Sequence, residues 1–361
     1  MPAVATSRLV GDAMAAPLRA AQYDAWANYR LPATEEFPDG VWAIALPTGE
    51  AGRSFVYVYV LRTDDGLALI DTGLDCDGAI DRLAGEIAAI GHRLEQISTI
   101  LCTHYHRDHY GNVGELKRLT GARVGLHAIE GAILTTLRDH HAEHRQEQHR
   151  LWAAMGLTGV PETDAARAGN PFADVRPPDP DFAFVDNTFA PVAGRRLRVI
   201  WTPGHSPGHI CLYDPDQAAL FAGDVVLPRI TPGVSLQPVQ RANPLADFHA
   251  SLGLLRALDV RVVFPGHEYA FADLDDRIAQ LEVHHKHRLA EILAAVHRSP
   301  GQTCVEIAGQ IGWSRPWDEM AGRYFRMAVS ETLAHLVLLN ERAVITREGY
   351  APVRWSAVRD R

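Results

Sequence analysis

Lysine is almost missing from this chain: among 35 basic residues, only Lys117 and Lys286 are lysines. No local feature asks for paired arginine contacts at so many places, so the bias is read as compositional. Cysteine is sparse as well. Cys76, Cys102, Cys211 and Cys304 lie far apart with no CxxC pair, which excludes a disulfide framework or a structural zinc knuckle and points to free buried thiols in a reducing compartment. No apolar run approaches the ~18 residues of a membrane helix. The N-terminal stretch MPAVATSRLVGDAMAAPLRAAQYDAWANYR lacks an apolar segment behind a basic start, so no secretory signal is read and a cytoplasmic location without a membrane partner is expected. A basic surplus is absent too. The net charge of −9 argues against a general binder of nucleic acid or anionic membrane, though not against a local basic groove.

What is present is an ordinary globular composition, 47% hydrophobic and 22% charged over 361 residues, which suits one large domain and a smaller one. Residues 1–35 read as a loosely structured or peripheral arm, 36–272 as the main domain and 273–361 as a smaller C-terminal domain. Strands are expected at Val41–Leu46, Phe55–Leu61, Leu67–Ile70 and Ile97–Cys102, then at Leu197–Trp201, Ile210–Tyr213, Leu220–Ala222 and Val260–Phe264. Helical spacing marks Ala79–Ile90, a long insertion from Ile129 to Gly156, and Pro244–Leu258. Thr158–Asp186, rich in Pro, Gly and Asp, reads as a loop. Beyond Ala272 comes a long helix, Asp273–Val296, with Ile278, Leu281, Leu289, Ile292 and Val296 in one stripe. Two helices, Val305–Ile311 and Arg323–Leu339, and a hairpin, Ala343–Trp355, follow in an order that resembles a winged-helix domain.

Chemistry concentrates in one cluster, H-x-H-x-D-H at His104, His106, Asp108 and His109. Alternate residues of an extended segment point the same way, so His104 and His106 converge on one cation, and the turn after them lets Asp108 and His109 face a second. Further along, His205 lies in TPGHSPGH, Asp224 in FAGD and His267 in FPGHE. Each follows a strand and sits beside glycine, where the backbone turns tightly enough to bring the side chain inward. Imidazole nitrogens with carboxylate oxygens suit zinc, and also iron or manganese.

Taken with Asp71 at the end of LALIDTG, these motifs resemble, in order and content, those of the metallo-β-lactamase superfamily, in particular its glyoxalase-II-like hydrolases, over roughly Val41 to Tyr269. The resemblance implies an α/β fold, an αββα sandwich with metals at one edge. It implies His104, His106 and His205 on one metal, Asp108, His109 and His267 on the other, and Asp224 bridging them. Asp71 then orients the site from behind, and His209 supplies a supporting hydrogen bond. The implied cofactors are two divalent metal ions, Zn2+ first, with iron or manganese as alternatives. The implied reaction is hydrolysis of a small-molecule thioester, ester or lactone by a hydroxide bridging the metals, with Asp108 and Asp224 as the catalytic carboxylates that orient it and carry a proton to the leaving group. Two departures narrow the class. His106 stands where flavo-diiron relatives carry Glu, which disfavours O₂ or NO reduction. Asp224 stands where true β-lactamases carry Cys or Ser, which disfavours antibiotic hydrolysis.

Other features are read more plainly. In RDHHAEHRQEQHR, His140, His141, His144 and His149 fall on an amphipathic helix whose packed side is Leu134, Leu137, Leu151, Trp152 and Met155; a lid over the metals is an alternative. His284, His285 and His287 are read as surface or interdomain residues. Beyond Pro300, eight Arg face seven Asp plus Glu and no basic recognition helix stands out. The C-terminal part is therefore expected to pack or to form a homodimer rather than bind nucleic acid. Two competing functions remain: a metal-dependent phosphodiesterase or endoribonuclease, suggested by THYHRDH with the winged-helix-like tail, and a non-catalytic metal-binding regulatory module.

Overall fold

Among the described residues, seven strands form the larger sheet in chain order: β1 (Glu35–Phe37), β2 (Val41–Pro47), β3 (Phe55–Thr63), β4 (Gly66–Ile70), β5 (Ile97–Leu101), β6 (Arg123–His127) and β7 (Phe182–Phe184). Four more, β8 (Arg198–Trp201), β9 (Ile210–Asp214), β10 (Ala219–Gly223) and β11 (Val262–Pro265), form a second sheet in the order β11-β10-β9-β8. The computed structural model describes residues 14–49, 55–158, 172 and 176–358.

The period-2 alternation of the strands builds the layers. In β3, Tyr57, Tyr59 and Leu61 face the second sheet, where they join Val199, Leu212 and Phe221. Val56, Val58 and Val60 face the other way, towards Leu83, Ile87, Leu116 and Ile133 on α2 (Ala79–Ala89), α4 (Val113–Thr120) and α5 (Ala128–Asp139). In β10, Phe221 faces the inter-sheet core, and Leu220 and Ala222 face outward. Both sheets are thus buried on both faces, which explains their nearly continuous apolar runs. The result is helix, sheet, sheet, helix, as expected.

The outer helical layer of the smaller sheet comes from α7 (Pro244–Arg256), α8 (Leu274–Arg298), α9 (Cys304–Ala308) and α10 (Gly322–Glu341), followed by the hairpin β12 (Ile345–Glu348) and β13 (Arg354–Ala357). Asn243 caps α7 by accepting from the Ala246 amide at 3.0 Å, with Pro244 at the first helical position. Leu220, Phe248, Ile278, Ile292, Val329, Leu336 and Trp355 belong to one apolar cluster. That cluster also takes in Trp152 and Met155 at the end of α6 (His141–Met155).

Several local expectations need correction. The stretch expected to be loop between 158 and 186 carries β7, whose three residues pair in parallel with β6; most of the rest of that stretch lies outside the described residues. The N-terminal arm carries α1 (Ala20–Ala27), whose Gln22 accepts from the Ala270 amide at 2.9 Å. Cys76 is only half-buried, unlike Cys102, Cys211 and Cys304. His285, read as a surface or interdomain residue, is fully buried between Phe248 of α7 and His335 of α10, because it continues the stripe of α8 between Leu281 and Leu289. Among the described residues no helix is long and apolar enough to cross a membrane.

Candidate metal centre

Asp71, His104, His205, Asp224 and His267 lie just past the ends of β4, β5, β8, β10 and β11, so the two sheets deliver them to one edge. Asp108 and His109 belong to the single turn α3 (Arg107–Tyr110). Tight backbone turns make the convergence possible. Gly223 has φ +48°, and a Cβ there would stand 2.6 Å from His209 Nε2. A Cβ on Gly266 would collide with Asp224 Oδ1 and lie 2.7 Å from His109 Cε1. Glycine in FAGD and FPGH is therefore a condition of closure.

All seven expected ligands meet. His104 Nε2 and His205 Nε2 stand 3.0 and 2.9 Å from His106 Nδ1. On the other side His267 Nε2 is 3.4 Å from Asp108 Oδ2 and 3.3 Å from Asp224 Oδ2. Asp224 lies between the halves, with Oδ1 3.5 Å from His109 Nε2 and Oδ2 3.7 Å from His205 Nε2. Three donor groups have their ligand atoms within 4.8 Å of one another: His104, His106 and His205; His104, His109 and Asp224; Asp108, His109 and His267.

The rings are held from behind. His205 Nδ1 donates to the Gly233 carbonyl at 2.9 Å and His267 Nδ1 to the Phe55 carbonyl at 2.9 Å. His109 Nδ1 lies 2.7 Å from Asp71 Oδ2. Asp71 also accepts from the Thr103 amide at 2.7 Å and from its hydroxyl at 2.9 Å, and that hydroxyl lies 3.0 Å from His104 Nδ1. These contacts tie off the outer nitrogen of each of these rings and turn its Nε2 inward, whereas His106 turns Nδ1 inward. His209 works on the backbone: its Nε2 accepts from the Asp224 amide at 3.1 Å, and its Nδ1 is 2.8 Å from the Thr202 hydroxyl.

Electrostatics divides the centre in two. Burial, helped by neighbouring histidines, pushes His104 well down and His106 to about 3, and burial also lowers His205. On the other half burial pulls His109 down, but Asp224, Asp71 and Asp108 outweigh it and push it up to about 10. His267 is raised in the same sense, chiefly by Asp224 against burial. Burial would raise Asp108 and Asp224, but the facing histidines hold both well below the usual carboxylate range.

This donor set fits two divalent cations. Three neutral imidazoles aim lone pairs at one point with too few protons to satisfy them. Among the described residues two buried atoms, His109 Nε2 and Asp224 Oδ1, face each other at 3.5 Å and neither has a closer hydrogen-bond partner. A buried orphan of this kind costs free energy unless something occupies it.

Three supports escaped the sequence reading. Thr103 and Thr202 sit inside the motifs themselves and were open to notice. Glu130 had no signal. It is fully buried on α5 and accepts from the Tyr105 amide at 2.8 Å and the Ser206 hydroxyl at 3.0 Å, tying the HxH segment to the His205 loop. Burial pushes its carboxyl up to about 7. His127, which nothing in the sequence placed, stacks on Trp201 with ring centroids 5.7 Å apart. In α6, His144 is buried, whereas His141 at its start and His140 just before it are exposed.

A family model described as the metallo-beta-lactamase superfamily matches residues 51–267. An atrochrysone carboxyl ACP thioesterase of Aspergillus fumigatus is 27% identical over 230 residues, 64% of this chain and 56% of the relative. A hydroxyacylglutathione hydrolase of Pseudomonas syringae pv. syringae is 30% identical over 210 residues, 56% of this chain and 59% of the relative. The match therefore spans little more than half of either curated protein. Among solved structures, a metallo-beta-lactamase family protein from Thermus thermophilus superposes with a TM-score of 0.76 at 34% identity, covering 88% of this chain and 99% of that one.

Proposed function

The chain belongs to the metallo-β-lactamase superfamily of hydrolases, and from that premise we propose that it hydrolyses a small-molecule thioester, with esters and lactones open to the same chemistry, at a centre of two divalent cations. The observation that carries the reading is the convergence of seven donors, with His109 Nε2 and Asp224 Oδ1 buried among them, 3.5 Å apart and without a hydrogen bond among the described residues. The relatives named as a thioesterase and a hydroxyacylglutathione hydrolase support the choice of an acyl carbonyl.

When bound, two such cations supply a water of depressed pKa and a Lewis acid for the carbonyl oxygen. His104, His106 and His205 would hold one, Asp108, His109 and His267 the other, and Asp224 both, with zinc the first candidate. The chain's own contribution is geometric and protonic. Asp224, fixed by His209 through its backbone amide, orients the attacking oxygen. Asp108 is the more open carboxylate, with 32% of its side chain exposed against 10% for Asp224, so it is placed to pass a proton towards a leaving group. We read the C-terminal helices and hairpin as winged-helix-like in order and as a packing layer, since α8 and α10 bury their apolar faces in the cluster on the smaller sheet.

The test is a substrate panel of acyl thioesters, lactones, aryl esters, phosphodiesters and single-stranded RNA, run with zinc-loaded wild type and Asp224→Ala. Thioester cleavage lost in Asp224→Ala is expected. Cleavage confined to RNA or phosphodiesters would replace this reading with a nuclease. Uptake of fewer than about one zinc per chain after loading would point instead to a non-catalytic module.

A further inference from the structure

Arg277 lies on α8, ten residues past the end of the segment that the family model matches, yet its guanidinium is committed to the loop that leaves Asp224. Only 5% exposed, it donates from Nε to the Leu227 carbonyl at 2.6 Å and from one terminal nitrogen to the Arg229 and Ile230 carbonyls at 2.7 and 2.9 Å. Glu268, beside His267 and also 5% exposed, takes the other side of the same turn. Its carboxylate accepts from the Arg229 and Ile230 amides at 3.0 and 3.2 Å. A short stretch of backbone is thus gripped through both its carbonyls and its amides.

The loop goes on to do two things for His205. The Gly233 carbonyl accepts from the His205 ring at 2.9 Å, and the Gln240 side chain donates from Nε2 to the Gly204 carbonyl at 3.2 Å. Val234 is fully buried against the C-terminal cluster. The loop ends at Asn243, which donates to Glu341 of α10 at 2.6 Å. A planar guanidinium spread over three carbonyls is a rigid clamp that lysine's single nitrogen cannot copy.

We propose that Arg277 is a positioning residue for the metal centre: from the C-terminal helix it fixes residues 227–233 so that the Gly233 carbonyl meets the His205 ring, and thereby sets the affinity of the three-histidine half for its cation. This rests on the reading of His205 as a ligand. Losing a partner that orients a ligand costs about 10- to 100-fold in metal affinity.

The experiment compares the full-length wild type, Arg277→Met and Arg277→Lys. Zinc affinity is read by competition with a chromogenic chelator, and the metal-free proteins are digested with trypsin to follow cleavage after Arg229, whose following residue Ile230 is exposed. Arg277→Met should weaken one of two zinc equivalents about 10- to 100-fold and speed cleavage after Arg229. Its hydrolytic kcat should recover in excess zinc with KM unchanged. Arg277→Lys should fall between Met and wild type in both readouts. A folded Arg277→Met with wild-type affinity and cleavage rate would overturn the clamp, even if its melting temperature dropped. Should Arg277→Met fail to fold, Arg277→Lys decides, and equality with wild type in both readouts overturns the proposal. A wild type that takes up no zinc would instead remove the metal-centre reading on which the clamp rests.

Discussion

At the metal centre His104 and His109 are fully buried; at the junction of α7, α8 and α10, so are His285 and His335. The two clusters look alike in composition and differ in where their protons run. At the junction, His335 Nδ1 donates to the Glu331 carbonyl at 2.8 Å, which leaves its Nε2 to accept from His285 Nδ1 at 3.1 Å. The hydrogen bonds form a line, and the last nitrogen, His285 Nε2, ends without a partner among the described residues, beside the Phe248 ring, 5.4 Å away between centroids. At the metal centre the outer nitrogens are tied off separately, by Gly233, Phe55, Asp71 and Thr103, so the inner ones all point at shared space. Carboxylates also reach that space. No group of three or more metal-binding donors converges at the junction among the described residues. Burial of histidine alone does not make a metal site; convergence of lone pairs with anionic charge does.

The sharpest way to break this contrast is to remove the shared carboxylate. Asp224→Ala should lower kcat on the best thioester by about 10³-fold, the several kcal/mol expected of a ligand to both cations, with the fold retained by circular dichroism. His285→Phe should leave both kcat and zinc stoichiometry where they were. Zinc lost from His285→Phe, or activity within tenfold of wild type in Asp224→Ala, would mean that the two clusters have been assigned the wrong way round.

Much of this was open to reading in the sequence, for a physical reason. Metal ligands on neighbouring residues need an extended segment and a turn, so His104, His106, Asp108 and His109 announce themselves locally. His205, Asp224 and His267 each need glycine at a strand exit, and that also is written locally. The layers followed from apolar alternation in strands such as β3 and β10. What escaped depends on tertiary contact. Glu130 carries no motif, and its role exists only because α5 lies behind both histidine loops. β7 is three residues long and owes its pairing to β6 rather than to its own pattern. His285 escapes because a polar residue is discounted on an apolar stripe, although its spacing from Leu281 and Leu289 places it on the buried face.

A pH series separates the halves of the metal centre from each other. In the metal-free chain His109 is pushed up to about 10, so below that pH a cation must displace its proton. Affinity in that half should fall as pH falls, about tenfold per unit for each proton released, or about 100-fold from pH 8 to 6 per proton, and His267, raised in the same sense, adds a second. The other half has no proton to lose, with His106 pushed down to about 3, and its affinity should stay flat over the same range. Chelator competition at pH 6, 7 and 8 reads both, and equal slopes would contradict the division. Asp71→Asn should act more strongly on the first half, because Asp71 holds His109 directly but reaches His104 only through the Thr103 hydroxyl. It weakens the acceptor for His109 Nδ1 and should cost about 10-fold or somewhat more in affinity there, with a smaller loss in the three-histidine half.

The smallest effect tests the junction. His335→Leu removes the acceptor for His285 Nδ1 and leaves that donor buried and unsatisfied, at a cost of about 1–3 kcal/mol in chemical denaturation. The double variant His285→Phe/His335→Leu removes both partners, so its stability at pH 7 should return close to wild type. The acid limb supplies the sign. Burial pushes His335 down to about 3 and His284 to about 4 and lowers His285 as well, with Arg288 and the neighbouring histidines adding to it. Neutral histidine is therefore favoured in the folded chain, and its contribution is fully present above the unfolded pKa near ~6.5 and lost as pH falls towards 3 to 4. With two of these groups gone, the drop in Tm between pH 7 and pH 5 should shrink. If the drop is as steep in the double variant as in wild type, the acid sensitivity belongs to the metal centre and not to the junction.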